Sequence, residues 1–312
     1  MATRESGSRF DLAILGADDP LGGAILGLLD SREMPVGRLH ALTLGEAETS
    51  VSFQGQDWPC ESAEQFDFGQ AQALVVASRR PAAQRLVEQV RARHPHMPIL
   101  LVDQVDPAPV QAVTPILRAL TALGGAATGD AWVALPAAYG GQDGVEELAS
   151  QARALFQMES PDAEVFPIQM AFNLQPYGGP AEESQQENRL AEALAHRVPD
   201  AEVGFSQIWA PLFFGAAIVL HVRTTRPVTV EAVRASLAHR EEVVLMEAEL
   251  PAATPTPATD AQASDAVFVS RIRHDGRRLR FWLVCDPIQL EAARMVEIVE
   301  NWIDKPVDSM LT

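Results

Sequence analysis

Residues 10–29, FDLAILGADDPLGGAILGLL, decide the fold. Residues 10–15 are a short apolar run rich in strand formers, stopped by Gly16, and an apolar helical period follows from Leu21 through Leu29. That is strand, tight turn, helix. Two more apolar runs, ALVVAS at 73–78 and PILLV at 98–102, read as buried parallel strands. Between them, residues 79–94 predict an amphipathic helix with Leu86, Val87 and Val90 on one side. A β-α-β-α-β order predicts an α/β, doubly wound parallel sheet of the nucleotide-binding type.

From Pro107 onward the pattern changes. Residues 110–123 read as helix, 132–135 as a short strand, 140–156 as helix and 209–224 as one long β-type run. Residues 227–238 predict a helix, and 243–246 and 267–273 predict strands. Residues 280–285 pair with the latter across His274, Asp275 and Gly276, a hairpin turn signal. Residues 251–264, rich in Pro, Ala and Thr, read as an excursion. A final amphipathic helix over 289–302 carries Ala293, Val296, Ile298 and Val299. The expected division is a first domain over 1–105, completed by 288–312, and an α+β domain with a mixed or antiparallel sheet over 106–287. The last helix returns because its apolar face needs cover, which the first sheet offers.

Composition narrows the function classes. The 312 residues are 47% apolar, enough for a full globular core, and carry a formal net charge of −18. An acidic surface repels phosphate backbones, so no nucleic acid is expected as partner. No apolar run is long enough for a membrane span, and MATRESGSRF lacks a signal peptide's apolar centre, so the expected location is cytoplasmic. Lys305 is the only lysine, which excludes a Walker-type phosphate loop and makes internal Schiff-base chemistry improbable. Two cysteines, Cys60 and Cys285, fit reduced thiols. The histidines are scattered, with His94 and His96 the only close pair, and nothing nearby completes a ligand set. No metal is expected.

The loop GADDPLGG at 16–23 is an altered dinucleotide loop. Of the three glycine roles there, Gly16 fills the first, permitting the turn, and Gly22 the third, packing helix on strand. Asp19 takes the second, where pyrophosphate must approach the backbone, with Asp18 before it. These carboxylates are expected to cap the helix start and to occupy the anion site themselves. Arg79 and Arg80, directly after the 73–78 run, are the cations placed to meet a ribose phosphate. No cofactor is expected, NADP binding at most weakly.

Three segments then carry a family resemblance. FPIQMAFNLQP at 166–176, TPTPATDAQASDAVFVSRIR at 254–273 and RFWLVCD at 280–286 resemble, in order, segments of the aspartate-semialdehyde dehydrogenases. WAPLFFGAA at 209–217 is similar to that family's arginine-to-histidine strand, with Pro211, Phe213 and Gly215 keeping the frame. The resemblance implies a Rossmann-like NAD(P)-binding domain and a dimerisation domain, hence a homodimer, with the apolar run 216–222 supplying its surface. The family reduces an acyl phosphate to an aldehyde through a cysteine thioester, with hydride from NADPH. Residue by residue, that chemistry is missing here. Pro107 stands at the nucleophile, Leu135 at a glutamine, Ala216 at the histidine and Trp209 at the substrate arginine, with Phe214 at a second arginine. On the helix motif beginning at Glu182 and Glu183, Gln185 replaces the phosphate-binding lysine and Arg189 the glutamate that would hold the substrate amine. Pro287 replaces a cofactor-side asparagine, and Glu291 a glycine beyond it. The chain therefore resembles the family's degenerate bacterial paralogs, the Usg proteins, as a regulatory or binding paralog whose small-molecule or protein ligand the sequence does not name. Two other readings stay open. One is an enzyme of altered chemistry in the same cleft, using Asp286, Arg271, Arg273 and Tyr139. The other is an NADP-dependent aspartate-semialdehyde dehydrogenase of amino-acid biosynthesis.

Overall fold

The computed structural model describes residues 10–45, 49–246, 254–275 and 278–304. The chain divides into two compact units, residues 1–105 with 291–312, and residues 106–290.

The first unit begins with β1 (Phe10–Leu15), α1 (Pro20–Ser31) and β2 (Val36–Thr43). A hairpin, β3 (Ser50–Phe53) and β4 (Gln56–Pro59), and the short β5 (Glu61–Ser62) precede β6 (Ala73–Val76). Then come α2 (Pro81–Arg93) and β7 (Ile99–Leu101). The main sheet runs β5-β2-β1-β6-β7, and every pair in it is parallel. β1 is central, and Leu12, Ile14 and Leu15 are fully buried, as a strand covered on both faces requires. The order departs from β1 in opposite directions, to β2 and to β6, so the switch point lies between the ends of β1 and β6. β2 and the hairpin are absent from the sequence reading. The hairpin turns at Gln54 (φ 52°) and Gly55 (φ 69°), the left-handed pair of a two-residue turn that matches the twist of its strands.

Gly22 holds α1 on β1. A Cβ there would lie 2.1 Å from the Gly16 carbonyl oxygen and 2.7 Å from the Ala17 Cα, both backbone atoms that cannot step aside. Gly22→Ala is expected to cost at least the ~1–3 kcal/mol typical of overpacking, read as a lower urea midpoint at unchanged slope.

The second unit contains α3 (Ala108–Gly124), β8 (Ala127–Leu135), α4 (Gln142–Phe156), β9 (Gln175–Pro176) and α5 (Pro180–Arg197). It continues with β10 (Ala201–Trp209), β11 (Ala216–Thr224), α6 (Val230–Leu237), β12 (Val243–Leu245), β13 (Val267–Asp275) and β14 (Arg278–Cys285). Its sheet is β12-β13-β14-β11-β8-β10-β9. It is mixed, since β8 with β10 and β12 with β13 are parallel while the other pairs are antiparallel. α3, α5 and α6 pack over one face, where Ala131, Val133, Phe205, Ile218 and Leu220 are buried. On the other face, Asp130, Trp132, Glu202, His221 and Arg223 are exposed.

The long β run expected over 209–224 is two strands. β10 ends at Trp209 and β11 starts at Ala216, with Gly215 at φ 76° between them. A Cβ on Gly215 would meet the Pro257 carbonyl oxygen at 2.2 Å, so the 254–264 segment crosses there. The expected turn residue Gly276, and Lys305, lie outside the described residues.

α7 (Pro287–Asp304) is the final helix. Its residues from Glu291 belong to the first unit, where Met295, Val296 and Val299 are fully buried. Among the described residues, no helix is long and apolar enough to cross a membrane.

Candidate functional site

Two places hold the residues singled out by sequence, one in each unit.

In the first unit the place is the switch point. Gly16 has φ 78°, and a Cβ there would come within 3.0 Å of Ser78 Cβ, so the loop lies tightly against the end of β6. The loop amides are turned inward. Gly16 and Ala17 both donate to the Leu42 carbonyl, at 2.8 and 3.2 Å, and Asp19 donates to Gly16 at 3.1 Å. Pro20, first in α1, has no amide hydrogen to offer. Asp19 stands at the helix N-cap but its carboxylate makes no cap hydrogen bond, which corrects the expectation of an internally capped helix. Instead Arg80 donates to Asp19 Oδ1 at 3.4 Å, and the Thr43 hydroxyl donates to Asp18 Oδ2 at 2.6 Å. Asp19 is only 8% exposed. The carboxylates found better partners than the helix end, because a guanidinium and a hydroxyl stand within reach of them.

Glu291 completes the arrangement. It is buried and ion-paired with Arg79. The two arginines foreseen as partners of a ribose phosphate are thus both engaged by carboxylates of the chain. Sequence reasoning named Arg79, Arg80 and Glu291 separately and missed the pairing, since Arg79 and Glu291 lie 212 positions apart.

In the second unit, the ends of β8 and β10 and the start of β11 bring Leu135, Trp209 and Ala216 together. Leu135 is level with Trp209 across the parallel pair. Ala217, next to Ala216, is level with Ala134. The connecting loops are tied to each other, Ala137 donating to Leu212 at 2.7 Å and Ala138 to Phe213 at 3.0 Å. Trp209 is buried between two other rings. Tyr177 stacks on it at 5.3 Å between centroids, and Phe166 meets it edge-on at 5.1 Å. An indole in such a sandwich is a packing group, and neither Leu135 nor Ala216 carries a titratable atom. Trp209→Ala is expected to cost about 3–5 kcal/mol, read in a thermal or urea melt, because the cavity would be walled by rings that cannot collapse into it.

The remaining candidates are dispersed within that unit. Pro107 is the N-cap residue of α3 and is buried. Gln185 is exposed on α5, and Arg189 is half-buried on the same helix. Pro287 is the first residue of α7. Asp286, just before it, is buried and accepts from Ile288 and Gln289 at 3.0 and 3.3 Å and from Ala263 at 3.1 Å. Burial pushes its pKa up, against the pull of these three backbone donors. It is a helix cap that also fastens the 254–264 segment. Arg271 and Arg273 are exposed on β13, and Tyr139 is buried. Cys285 and, in the first unit, Cys60 are both buried, and neither is in a disulfide. Burial raises the Cys60 pKa, which keeps it a thiol at neutral pH. Among the described residues, no group of three His, Cys, Asp or Glu side chains is placed to hold a metal ion.

The comparisons with known proteins agree with this architecture. Residues 136–289 match the semialdehyde dehydrogenase, dimerisation domain family. The matched stretch lies within the second unit. The chain as a whole resembles the aspartate-semialdehyde dehydrogenase family, including its USG-1 homologs. A USG-1 protein homolog of Azotobacter vinelandii is 29% identical, over 93% of this chain and 97% of its own length. An aspartate-semialdehyde dehydrogenase of Shewanella violacea is 24% identical over the same shares of each chain. The solved structure of a probable aspartate-semialdehyde dehydrogenase from Pseudomonas aeruginosa superposes with a TM-score of 0.79 at 23% identity, covering 94% of this chain and 98% of its own.

Proposed function

We propose that this chain is a homodimeric, non-catalytic relative of the aspartate-semialdehyde dehydrogenases, retained as a regulatory or binding protein. One observation carries the reading. At the strand ends where the resemblance places a base, a glutamine and a substrate arginine, the chain packs Ala216, Leu135 and a Trp209 held between Phe166 and Tyr177. None of these moves a proton or binds a carboxylate. The nucleophile position is Pro107, and the chain's two thiols are buried elsewhere in sequence. The first unit supports the same reading, because Asp19 and Glu291 satisfy the arginines that a phosphate would need.

The homodimer rests on the match to a dimerisation domain over 136–289. The apolar run 216–222 is not its surface as the sequence suggested. Ala216, Ile218, Leu220 and Val222 are buried beneath the chain's own helices. The face left for a partner carries the alternate residues. An assay with aspartyl phosphate and NADPH tests the loss of catalysis, and sedimentation of the pure protein tests the dimer.

A further inference from the structure

β7 is an edge of the first unit's sheet, with no described strand beyond it. Against its carboxyl end lies a cavity of about 230 Å³. One wall is a single stripe of α2, formed by Gln84, Val87, Glu88 and Arg91, at the spacing that puts side chains on one face of a helix. The other wall is the end of β6, with Val76, Ser78 and Arg79, and residues 101–103 at the end of β7. The Leu101 amide donates to Gln104 Oε1 at 2.8 Å, which folds the chain back into the turn that carries Asp103. No residue of the 16–23 loop or of β2 lines the cavity, so it lies on the far side of β6 from the switch point.

The floor is apolar and the rim is charged. Val76, Val87 and Val102 are buried, while Gln84, Glu88, Arg91 and Asp103 are exposed. Arg79 and Arg91 balance Glu88 and Asp103, so a ligand of one charge would meet a like charge on entering. Arg79 is already ion-paired with Glu291. Glu88 and Arg91 are not so engaged. They stand at i and i+3 on the helix, where opposite charges ordinarily pair. Neither makes a side-chain hydrogen bond or ion pair with any described residue.

We infer that this cavity binds a free α-amino acid with an apolar side chain. Cβ atoms at that helical spacing are about 5–6 Å apart, so an ammonium and a carboxylate carried on one carbon can reach Glu88 and Arg91 together. The apolar side chain then covers the valine floor. A phosphate would leave Glu88 without a counter-charge, and a polyamine would leave Arg91 without one. Pockets for drug-sized ligands run about 300–1,000 Å³, so this one suits a smaller molecule and excludes a dinucleotide. The site shares only Ser78 and Arg79 with the switch point and goes beyond the non-catalytic reading. Failure of either proposal leaves the other standing.

The test is equilibrium dialysis of the full chain against isotopically labelled L-leucine at low ionic strength. Saturable binding of one leucine per chain is expected. Glu88→Gln and Arg91→Gln should each weaken it roughly five- to tenfold, as the loss of one charged partner at a partly open site implies. Both positions are exposed, and circular dichroism checks that the variants fold. Arg85→Gln, on α2 but outside the cavity, should bind as the parent does. Unlabelled 4-methylpentanoate, which lacks the ammonium, and isopentylamine, which lacks the carboxylate, should fail to displace leucine at concentrations where unlabelled leucine does. Absence of saturable binding, binding unchanged in both cavity variants, or full displacement by either one-charge analogue would overturn the inference.

Discussion

Mixed with aspartyl phosphate and NADPH, the purified protein is expected to show no turnover above the enzyme-free control, in either direction of the reaction. The reaction needs a thiolate to form the thioester and a base to move its proton. General acid–base help alone is typically worth 10²–10⁴ in rate, roughly 3–5 kcal/mol of barrier, and covalent catalysis adds to it. The resemblance would put that base at Ala216, which is buried level with Cys285 on the neighbouring strand. Cys285 is itself buried, and Cys60 is held as a thiol by its surroundings. Cys60→Ser and Cys285→Ser complete the experiment. Turnover that survives both changes would defeat the non-catalytic reading. Turnover abolished by one of them would reveal a relocated nucleophile, and the chain would be an enzyme of altered chemistry.

Calorimetric titration with NADP is expected to give little or no heat for the parent, and measurable binding for Asp19→Gly. The variant removes a buried negative charge, releases Arg80 from its 3.4 Å pair and opens the backbone at the second glycine role. A charge-assisted hydrogen bond regained by a phosphate is worth about 1.5–3 kcal/mol, so affinity should rise at least about tenfold. Further gain is limited because Gly16 and Ala17 donate to Leu42 and Pro20 donates nothing. Micromolar binding by the parent, unchanged or weaker in the glycine variant, would mean that the loop accepts phosphate as it stands.

Much of the architecture was legible in the chain. The runs at 10–15 and 73–78 were readable because a strand covered on both faces is apolar without interruption. The helix α7 was readable because its apolar period is strong. β2 was not. Its sequence, VGRLHALT, mixes charged and apolar residues, since its first half is partly exposed and only its second half enters the core. The hairpin turn at Gln54 and Gly55 lacks the usual Asn or Asp before glycine. The run 209–224 read as one strand because Pro211 and Gly215 break it less visibly than its aromatic residues continue it.

The sequence by itself determined which chemical groups are present: no cysteine near Pro107, no base at Ala216, carboxylates at 18 and 19, and the strand–turn–helix that begins the first unit. Those are properties of residue type and of short-range periodicity. Only the tertiary structure decided how the charges are used. Asp19 pairs with Arg80 rather than capping its own helix, and Glu291 reaches Arg79 from the far end of the chain. Strand register gathers Glu202 and Asp130 on one side of a sheet face and Arg278 and Arg280 on the other. Hydrogen bonds need direct contact and Coulomb interactions between exposed charges are screened beyond about 10 Å in physiological salt, so their partners are chosen by distance in space, which the order of residues along the chain does not state.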